Sequence, residues 1–432
     1  MEWSKYNYFY YSNNHEVYLG YNAISNVLIE LNEKSYSELL NLKENLGLIN
    51  TLDENHKFLI QAKFLVVNNL SDIRNIQLIN QVKRFNNKNL YLTIAPTRAC
   101  NFNCTYCYEK NRLNISFNEE TILGIVNFIK NRKPDILSIT WYGGEPLLAI
   151  NDISKISKEL EQLNINFKAQ MVTNGYLLDR IANNINDLHL TNIQVTIDGL
   201  PETHNKRRTL KNNEDSFSKI IENIDVILLK NKQIHFSIRV NVDNENKKEF
   251  VKIREYLISK FGSTQLSVYV GYIHDDFCQG FSCIESSEQK GNFILDNYHD
   301  TKFLDKDVYP KQTTHGCMMR GANSFLIGPE GELYKCWHHL GEKNMSIGNV
   351  IEENQFDLSL YSKFMLANDS LFDELCQSCF LYPSCFGGCP DLRIKNNIFG
   401  GNDSVCIPAK ENIEKFLDIY YSHKKADEVL PA

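Results

Sequence analysis

The chain has 432 residues, 43% of them hydrophobic and 23% charged, with a net charge of −7, a size that predicts two or three domains rather than one core. The acidic balance excludes the basic stripe of a nucleic-acid footprint, and no apolar run approaches the roughly 18 residues that span a bilayer. Residues 1–20 lack the charged start, apolar stretch and small-residue cleavage site of a signal peptide, so a soluble, cytoplasmic protein is expected. In that compartment the twelve cysteines argue for metal binding or chemistry rather than disulfides, and all but Cys278 and Cys283 fall in two tight groups.

Residues 1–88 read as a small α+β unit. Aromatic-rich runs at Tyr6–Tyr11 and Glu16–Tyr21 flank Ser12-Asn13-Asn14-His15, a hairpin signal, and Val27–Leu31 supplies a third strand. A helix is expected from Ser35 to about Leu46, and apolar character resumes at Phe58–Val67. From residue 89 to 299 strand and helix alternate. Strands are predicted at Leu90–Ala95, Ile136–Trp141, Phe167–Thr173, Ile193–Ile197, Ile234–Val242 and Leu266–Tyr272, with helices at Glu119–Asn131, Ile153–Leu163, Ser216–Leu229 and Lys247–Lys260. Such alternation specifies parallel βαβ units. Six units fall short of the eight of a closed barrel, so an α/β fold with a partial (β/α)6 TIM-like barrel is expected. From residue 300 to 432 short segments, glycines and cysteines dominate until a closing helix near Glu411–Tyr421. A stretch with little regular structure needs another source of order, and metal clusters supply one.

The first cysteine group follows the first barrel strand: Cys100, Cys104 and Cys107, spaced CxxxCxxC, with Tyr106 before the last. Three thiolates hold three irons of a [4Fe–4S] cluster and leave the fourth open to a ligand. The loop lies at the C-terminal end of a strand, where barrel enzymes place their chemistry. A zinc site would instead show two separated CxxC pairs.

This loop resembles the signature of the radical S-adenosylmethionine (SAM) superfamily, and further motifs match in order. Gly143-Gly144-Glu145-Pro146 resembles the family's GGEP, which contacts the SAM amino group; Thr173-Asn174-Gly175 ends the third strand; Thr196-Ile197-Asp198-Gly199 resembles S-x-D-G. His204-Asn205-Lys206-Arg207-Arg208 is similar to H-D-x-x-R, which places Arg208 on the SAM carboxylate, and Arg239 and Asn241 on the fifth strand fit further SAM contacts. Thr196 and Asn205 stand where Ser and Asp are usual. The resemblance implies reductive cleavage of SAM to methionine and a 5′-deoxyadenosyl radical that takes hydrogen from a substrate.

The second group runs Cys317, Gly331, Cys336, then Cys376, Cys379, Cys385, Cys389 and Cys406, an order that resembles the SPASM domain. That resemblance implies two auxiliary [4Fe–4S] clusters, three in all. Cys376, Cys379, Cys385 and Cys406 would hold the distal one, and Cys317, Cys336 and Cys389 the nearer one. The fourth ligand of the nearer cluster is left open among Cys278, Cys283, His315 or none.

The layout of residues 1–88 resembles the peptide-recognition (winged-helix-like) units of enzymes that mature ribosomally made peptides, which bind a leader as an added strand. The expected function is therefore hydrogen abstraction from such a peptide, giving a thioether, a carbon–carbon crosslink or an epimer. The expected partners are a precursor peptide with its leader and a low-potential electron donor of ferredoxin or flavodoxin type. Two alternatives stand beside it. One is anaerobic sulfatase maturation, which the resemblance associates with an Asp directly after the second SPASM cysteine, where this chain has Trp337. The other is a non-enzymatic iron–sulfur carrier or scaffold.

Overall fold

The computed structural model describes residues 1–107, 109, 113–212, 214–273, 282–301, 317–352, 356–367 and 369–429. It divides into two compact units: Met1–Arg84 with Ser286–Cys317 and Leu366–Ala432, and Phe85–Glu285 with Met318–Met365.

In the first unit, β1 (Glu2–Trp3) pairs antiparallel with β5 (Leu65–Val66). The strands β2 (Asn7–Ser12), β3 (Val17–Asn22) and β4 (Val27–Leu31) form an antiparallel meander in the order β2-β3-β4. Left-handed residues at Glu16 and Asn26 make its two turns. The helix α1 (Glu33–Glu44) starts where the Asn32 side chain accepts from the Ser35 amide, and α2 (Glu54–Gln61) where Asp53 accepts from His56. Strand alternation sends the side chains two ways. Tyr8, Tyr10, Leu19, Tyr21 and Leu28 pack with Leu381, Tyr382, Phe386, Ile413, Leu417 and Tyr421. On the other face Phe9, Val27, Ile29 and Leu31 pack with Leu39, Leu42, Leu59 and Phe64. Both faces of the small sheet are thus covered. Fully burying one such apolar side chain contributes roughly 1.5–3 kcal/mol, so the shared core binds residues 1–84 to the C-terminal segment strongly. The helices α3 (Asn69–Arg84) and α9 (Ser287–Thr301) and the closing helix Ile413–Val429 complete this unit.

The second unit is a partial (β/α)6 barrel. Its strands β6 (Asn89–Ile94), β7 (Ile136–Trp141), β8 (Phe167–Thr173), β9 (Leu190–Thr196), β10 (His235–Val242) and β11 (Leu266–Tyr272) are neighbours in sequence order, every pairing parallel. The helices α4 (Glu119–Arg132), α5 (Ile150–Gln162), α6 (Pro201–Arg207), α7 (Ser216–Lys230) and α8 (Phe250–Phe261) lie between them in the chain. The sheet does not end at β6. Short strands β12 (Ser324–Ile327), β13 (Glu332–Tyr334) and β14 (Gly348–Asn349) extend it to nine, β12 running parallel to β6 and the last two antiparallel. Leu92, Ile139, Ala169, Ile193 and Ile238 are buried along the strands, which leaves the C-terminal strand ends to carry polar groups.

Candidate active site

The cysteine loop leaves β6 at Ile94 and is fixed from both sides by backbone hydrogen bonds. On one side the Gly144 amide donates to the Thr97 carbonyl (3.0 Å) and the Glu145 amide to Ala99 (2.8 Å). Gly143 has φ +110°, and a Cβ on Gly143 or Gly144 would run into the Thr97 or Ala99 carbonyl. The paired glycines are therefore required for close backbone approach. On the other side the Asn103 amide donates to Thr209 (2.7 Å) and Thr105 to Arg207 (3.2 Å). Cys100, Cys104 and Cys107 are all partly buried.

Glu145 is fully buried at the end of β7. Its carboxylate accepts from Thr173 Oγ1 (2.7 Å), the Leu147 amide (3.1 Å) and the Asn174 amide (2.8 Å). Burial raises its pKa, and these donors pull the other way. Pro146 opens the single 3-10 turn that follows. Asn174 Nδ2 donates to Asn101 Oδ1 (2.7 Å) and lies 3.9 Å from Cys100 Sγ. Gly143, Gly144, Glu145, Pro146, Thr173 and Asn174 are thus gathered beside the cysteine loop.

A second group sits at the ends of β9 and β10. Tyr106 Oη accepts from Arg208 Nη1 (2.8 Å) and Asn241 Nδ2 (3.1 Å), and Asn241 Oδ1 accepts from Arg239 Nε (2.8 Å). A Cβ on Gly271 of β11 would overlap the Arg239 guanidinium, so glycine makes room for it. Asp198 is fully buried, with Arg207 Nε 3.5 Å away, while Arg207 Nη1 donates to Asp243 Oδ2 at 2.7 Å. Burial raises the Asp198 pKa, opposed by Arg208 and Arg207. Burial would lower the Arg208 pKa, yet Cys104, Tyr106 and Asp198 beside it hold it well above its ordinary value. Thr196 is buried at the last position of β9.

Asn205, in the place of the usual Asp, accepts from the amides of Ser216 and Phe217 and donates to Asp215 Oδ1. It braces the start of α7 through its amide. His204 is fully buried, and its Nδ1 accepts from the Asp198 amide. Burial, reinforced by Arg208, drives its pKa well below 6.5, so it is neutral.

Three participants were not singled out from sequence: Arg207, Asp243 and Tyr142. Arg207 and Asp243 form the buried ion pair, and only the fold separates the roles of the adjacent arginines. Tyr142 and Trp337 pack at a 4.7 Å centroid distance, with Trp337 Nε1 donating to Thr93 Oγ1 (3.0 Å). Cys107 and Cys336 both lie close enough to Tyr142 to act on its hydroxyl.

The donor set suits the cofactors that the motifs imply. Three cysteine thiols share one loop. Among the described residues Asp198 Oδ1 and Oδ2, Arg208 Nε and Asn101 Nδ2 are buried without a hydrogen bond. Buried polar atoms are normally satisfied, so acceptors and donors are left for a polar, zwitterionic ligand beside the thiols.

The Radical SAM superfamily profile matches residues 94–257. The chain carries a radical SAM domain. Its curated relatives include the cysteine-type anaerobic sulfatase-maturating enzyme of Clostridium perfringens, 24% identical over 348 residues, 70% of this chain and 90% of that protein. The GTP 3′,8-cyclase of Helicobacter pylori is 27% identical over 40% of this chain and 54% of its own length. Among solved structures, native anSMEcpe with bound AdoMet and Cp18Cys peptide superposes with a TM-score of 0.61 at 19% identity, covering 79% of this chain and 100% of that one. Streptococcus suis SuiB bound to precursor peptide SuiA gives a TM-score of 0.52 at 16% identity, over 94% of this chain and 98% of that one. The radical SAM domain implies one [4Fe–4S] cluster and SAM, and Cys100, Cys104 and Cys107 fall within the matched residues.

Outside the radical SAM domain, the C-terminal segment of the first unit gathers Cys376, Cys379, Cys385 and Cys406. Cys385 and Cys406 lie near each other, as do Cys376 and Cys385. Lys410 Nζ is 3.4 Å from Cys406 Sγ, and Arg393 Nη2 donates to Cys376 Sγ at 2.6 Å while Nη1 bonds Asp373. Phe386, Gly387 and Gly388 are consecutively left-handed and turn the Gly387 and Gly388 amides onto Cys385. A Cβ on Gly388 would collide with the Val405 carbonyl. Amides and cations directed at thiols are what a cluster's negative sulfurs require. Cys317 and Cys389 belong to this same unit, whereas Cys336 follows β13 in the other.

Of the candidates for a fourth ligand, Cys278 and His315 lie outside the described residues. Cys283 is buried and disulfide-bonded, which withdraws its thiol from ligation in this structure.

Proposed function

We propose that the chain is a radical SAM maturase that abstracts hydrogen from a residue of a ribosomally made peptide. It would use a SPASM-type segment with two further [4Fe–4S] clusters. One observation carries the reading: a three-thiol loop locked against Gly143–Glu145 occurs in the same chain as a second thiol set supplied with its own amides and cations. When bound, the cluster and SAM supply a one-electron cleavage that yields a carbon radical. The chain's residues do the rest. Cys100, Cys104 and Cys107 hold three irons. Glu145, braced by Thr173 and Asn174, meets the SAM ammonium, and Arg208 meets its carboxylate. Thr196, Asp198, Arg239 and Asn241 line the remainder, with Tyr106 in the loop. Cys376, Cys379, Cys385 and Cys406 hold the distal cluster, and Cys317, Cys336 and Cys389 the nearer one.

Residues 1–88, 89–299 and 300–432 then act as recognition, radical and auxiliary regions. With both faces of its meander covered, the N-terminal region would take a leader at an edge strand, β2 or β4. A ferredoxin- or flavodoxin-type donor would supply electrons in the cytoplasm. Similarity to SuiB and anSMEcpe, whose structures contain peptides, supports a peptide substrate. Formylglycine formation is less supported, because Trp337 stands where that reading expects an acidic base and its indole is already committed to Thr93. Co-expression with the adjacent small open reading frame, followed by mass spectrometry, tests the proposal. A mass change confined to the core peptide is expected. Conversion of a sulfatase peptide with the precursor untouched would overturn it.

A further inference from the structure

Tyr106 Oη occupies a crossing point that SAM contact alone does not explain. A phenol oxygen has two lone pairs and one hydrogen. Here both lone pairs are used by donors from two different elements: Arg208 at the end of α6 and Asn241 on β10. The buried Asp198 carboxylate after β9 lies beside the same hydroxyl. The tyrosine itself sits between Cys104 and Cys107, and the Arg207 guanidinium lies 5.3 Å from its ring centroid. One oxygen atom therefore ties the cysteine loop to α6 and β10.

We propose that the Tyr106 hydroxyl is a positioning group that couples the SAM-carboxylate arginine, Arg208, to the loop holding the cluster. The assignment rests on the reading of Arg208 as a SAM contact. The physical reason is directional. Arg208 has several staggered conformations open to it, and a charge-assisted hydrogen bond to a fixed acceptor selects one. With phenylalanine at 106, Arg208 Nη1 and Asn241 Nδ2 lose their shared acceptor inside a buried site, and both reorient to recover hydrogen bonds. The ring and its packing survive, so the loop still holds iron. The guanidinium no longer waits where SAM's carboxylate arrives.

The test uses the anaerobically reconstituted full chain. Y106F is compared with wild type for iron content, for SAM affinity read from the change in the reduced cluster's electron paramagnetic resonance spectrum, and for KM and kcat of uncoupled SAM cleavage. Iron content should match wild type, while the SAM dissociation constant and KM rise about ten-fold and kcat falls less. In a double-mutant cycle with R208K, the second substitution should add little to the first, since both act through one contact. Wild-type affinity in Y106F, or losses that multiply in the cycle, would overturn the assignment. Should Y106F lose iron, N241A removes the second bond to the same oxygen from outside the loop; SAM affinity unchanged in N241A overturns it equally. Failure of the underlying reading looks different: R208K alone would bind SAM as tightly as wild type.

Discussion

The two thiol-bearing regions are built on opposite principles. Around Cys100–Cys107 the site is made by a nine-stranded sheet and its strand-end hydrogen bonds. The loop is held there by backbone hydrogen bonds to the strand ends, so on the proposed reading the thiols are additions to a finished scaffold. Around Cys376–Cys406 the regular elements are brief, with helices at Glu374–Ser378 and Tyr382–Cys385 and a longer one at Pro390–Phe399. Order there comes from the core shared with residues 1–84 and, on the present account, from iron. On the proposed reading, the difference teaches that the same residue type would serve two ends: chemistry on a self-sufficient frame in one place, structure in the other. Removing a ligand should therefore silence the first region and unfold the second.

The largest effect is expected from deleting Met1–Arg84. That segment contributes Tyr6, Tyr10, Leu19, Tyr21 and Leu28 to the core holding Leu381, Tyr382 and Phe386, and Tyr8 stacks on Phe380 at 4.6 Å beside Cys379. Losing several such side chains, at roughly 1.5–3 kcal/mol each, exceeds ordinary domain stability. The truncated chain should be insoluble or lack about four irons. A soluble truncation with full iron would show that the C-terminal segment stands alone and would erase the contrast.

Next in size is Gly388→Ala. It places a side chain at φ +67° and against the Val405 carbonyl. The expected result is destabilisation of about 2–4 kcal/mol and selective loss of the distal iron, with cleavage of SAM retained. Iron analysis with thermal unfolding checks it. Gly143→Ala in the barrel should instead impair SAM cleavage while leaving the distal iron in place.

Smaller again, Glu145→Gln and Arg208→Lys should each weaken SAM binding about ten- to a hundred-fold without loss of clusters, the range of a charge-assisted hydrogen bond. Calorimetric titration of the reconstituted protein measures this, and unchanged affinity in both would remove these side chains from the cofactor.

The smallest effect is a pH dependence of the barrel. His204 is neutral when folded because burial holds its pKa well below 6.5. Below pH 6.5 the unfolded chain binds a proton that the folded chain refuses, so stability is complete above that pH and declines as pH falls beneath it. The decline between pH 6.5 and 5 should be shallower in His204→Gln, measured by thermal or denaturant unfolding across that range. Equal slopes would mean that the buried ring titrates normally.

Legibility in the sequence follows the same divide. Strands β7, β8 and β11 were readable to the residue because apolar and polar positions largely alternate along them. Strand β9 begins at Leu190 rather than Ile193, since Leu190 pairs with Ala169 and Asn192 with Gln170 and His235, although Thr191 and Asn192 do not look apolar. Strands β12, β13 and β14, of two to four residues, are too short to show a period. The helix α3 buries only Ile73, which leaves no apolar stripe to read. In the site, motif residues at strand ends were legible because they recur in a fixed order. The Arg207–Asp243 pair was not, because two adjacent arginines look alike until the backbone aims them apart. The extent of the N-terminal core was likewise hidden, since its partners lie some 370 residues away in the chain, as Lys5 and Gln377 do.

On the proposed reading, the Cys100–Cys107 loop alone performs the radical step. The direct measurement is 5′-deoxyadenosine formation by the reduced, reconstituted chain and by its Cys100→Ala/Cys104→Ala/Cys107→Ala variant, each with its iron counted. The account predicts product from the wild-type chain with about twelve irons, and none from a folded variant that retains about eight. Product from the triple variant, or a metal content dominated by zinc, would contradict it.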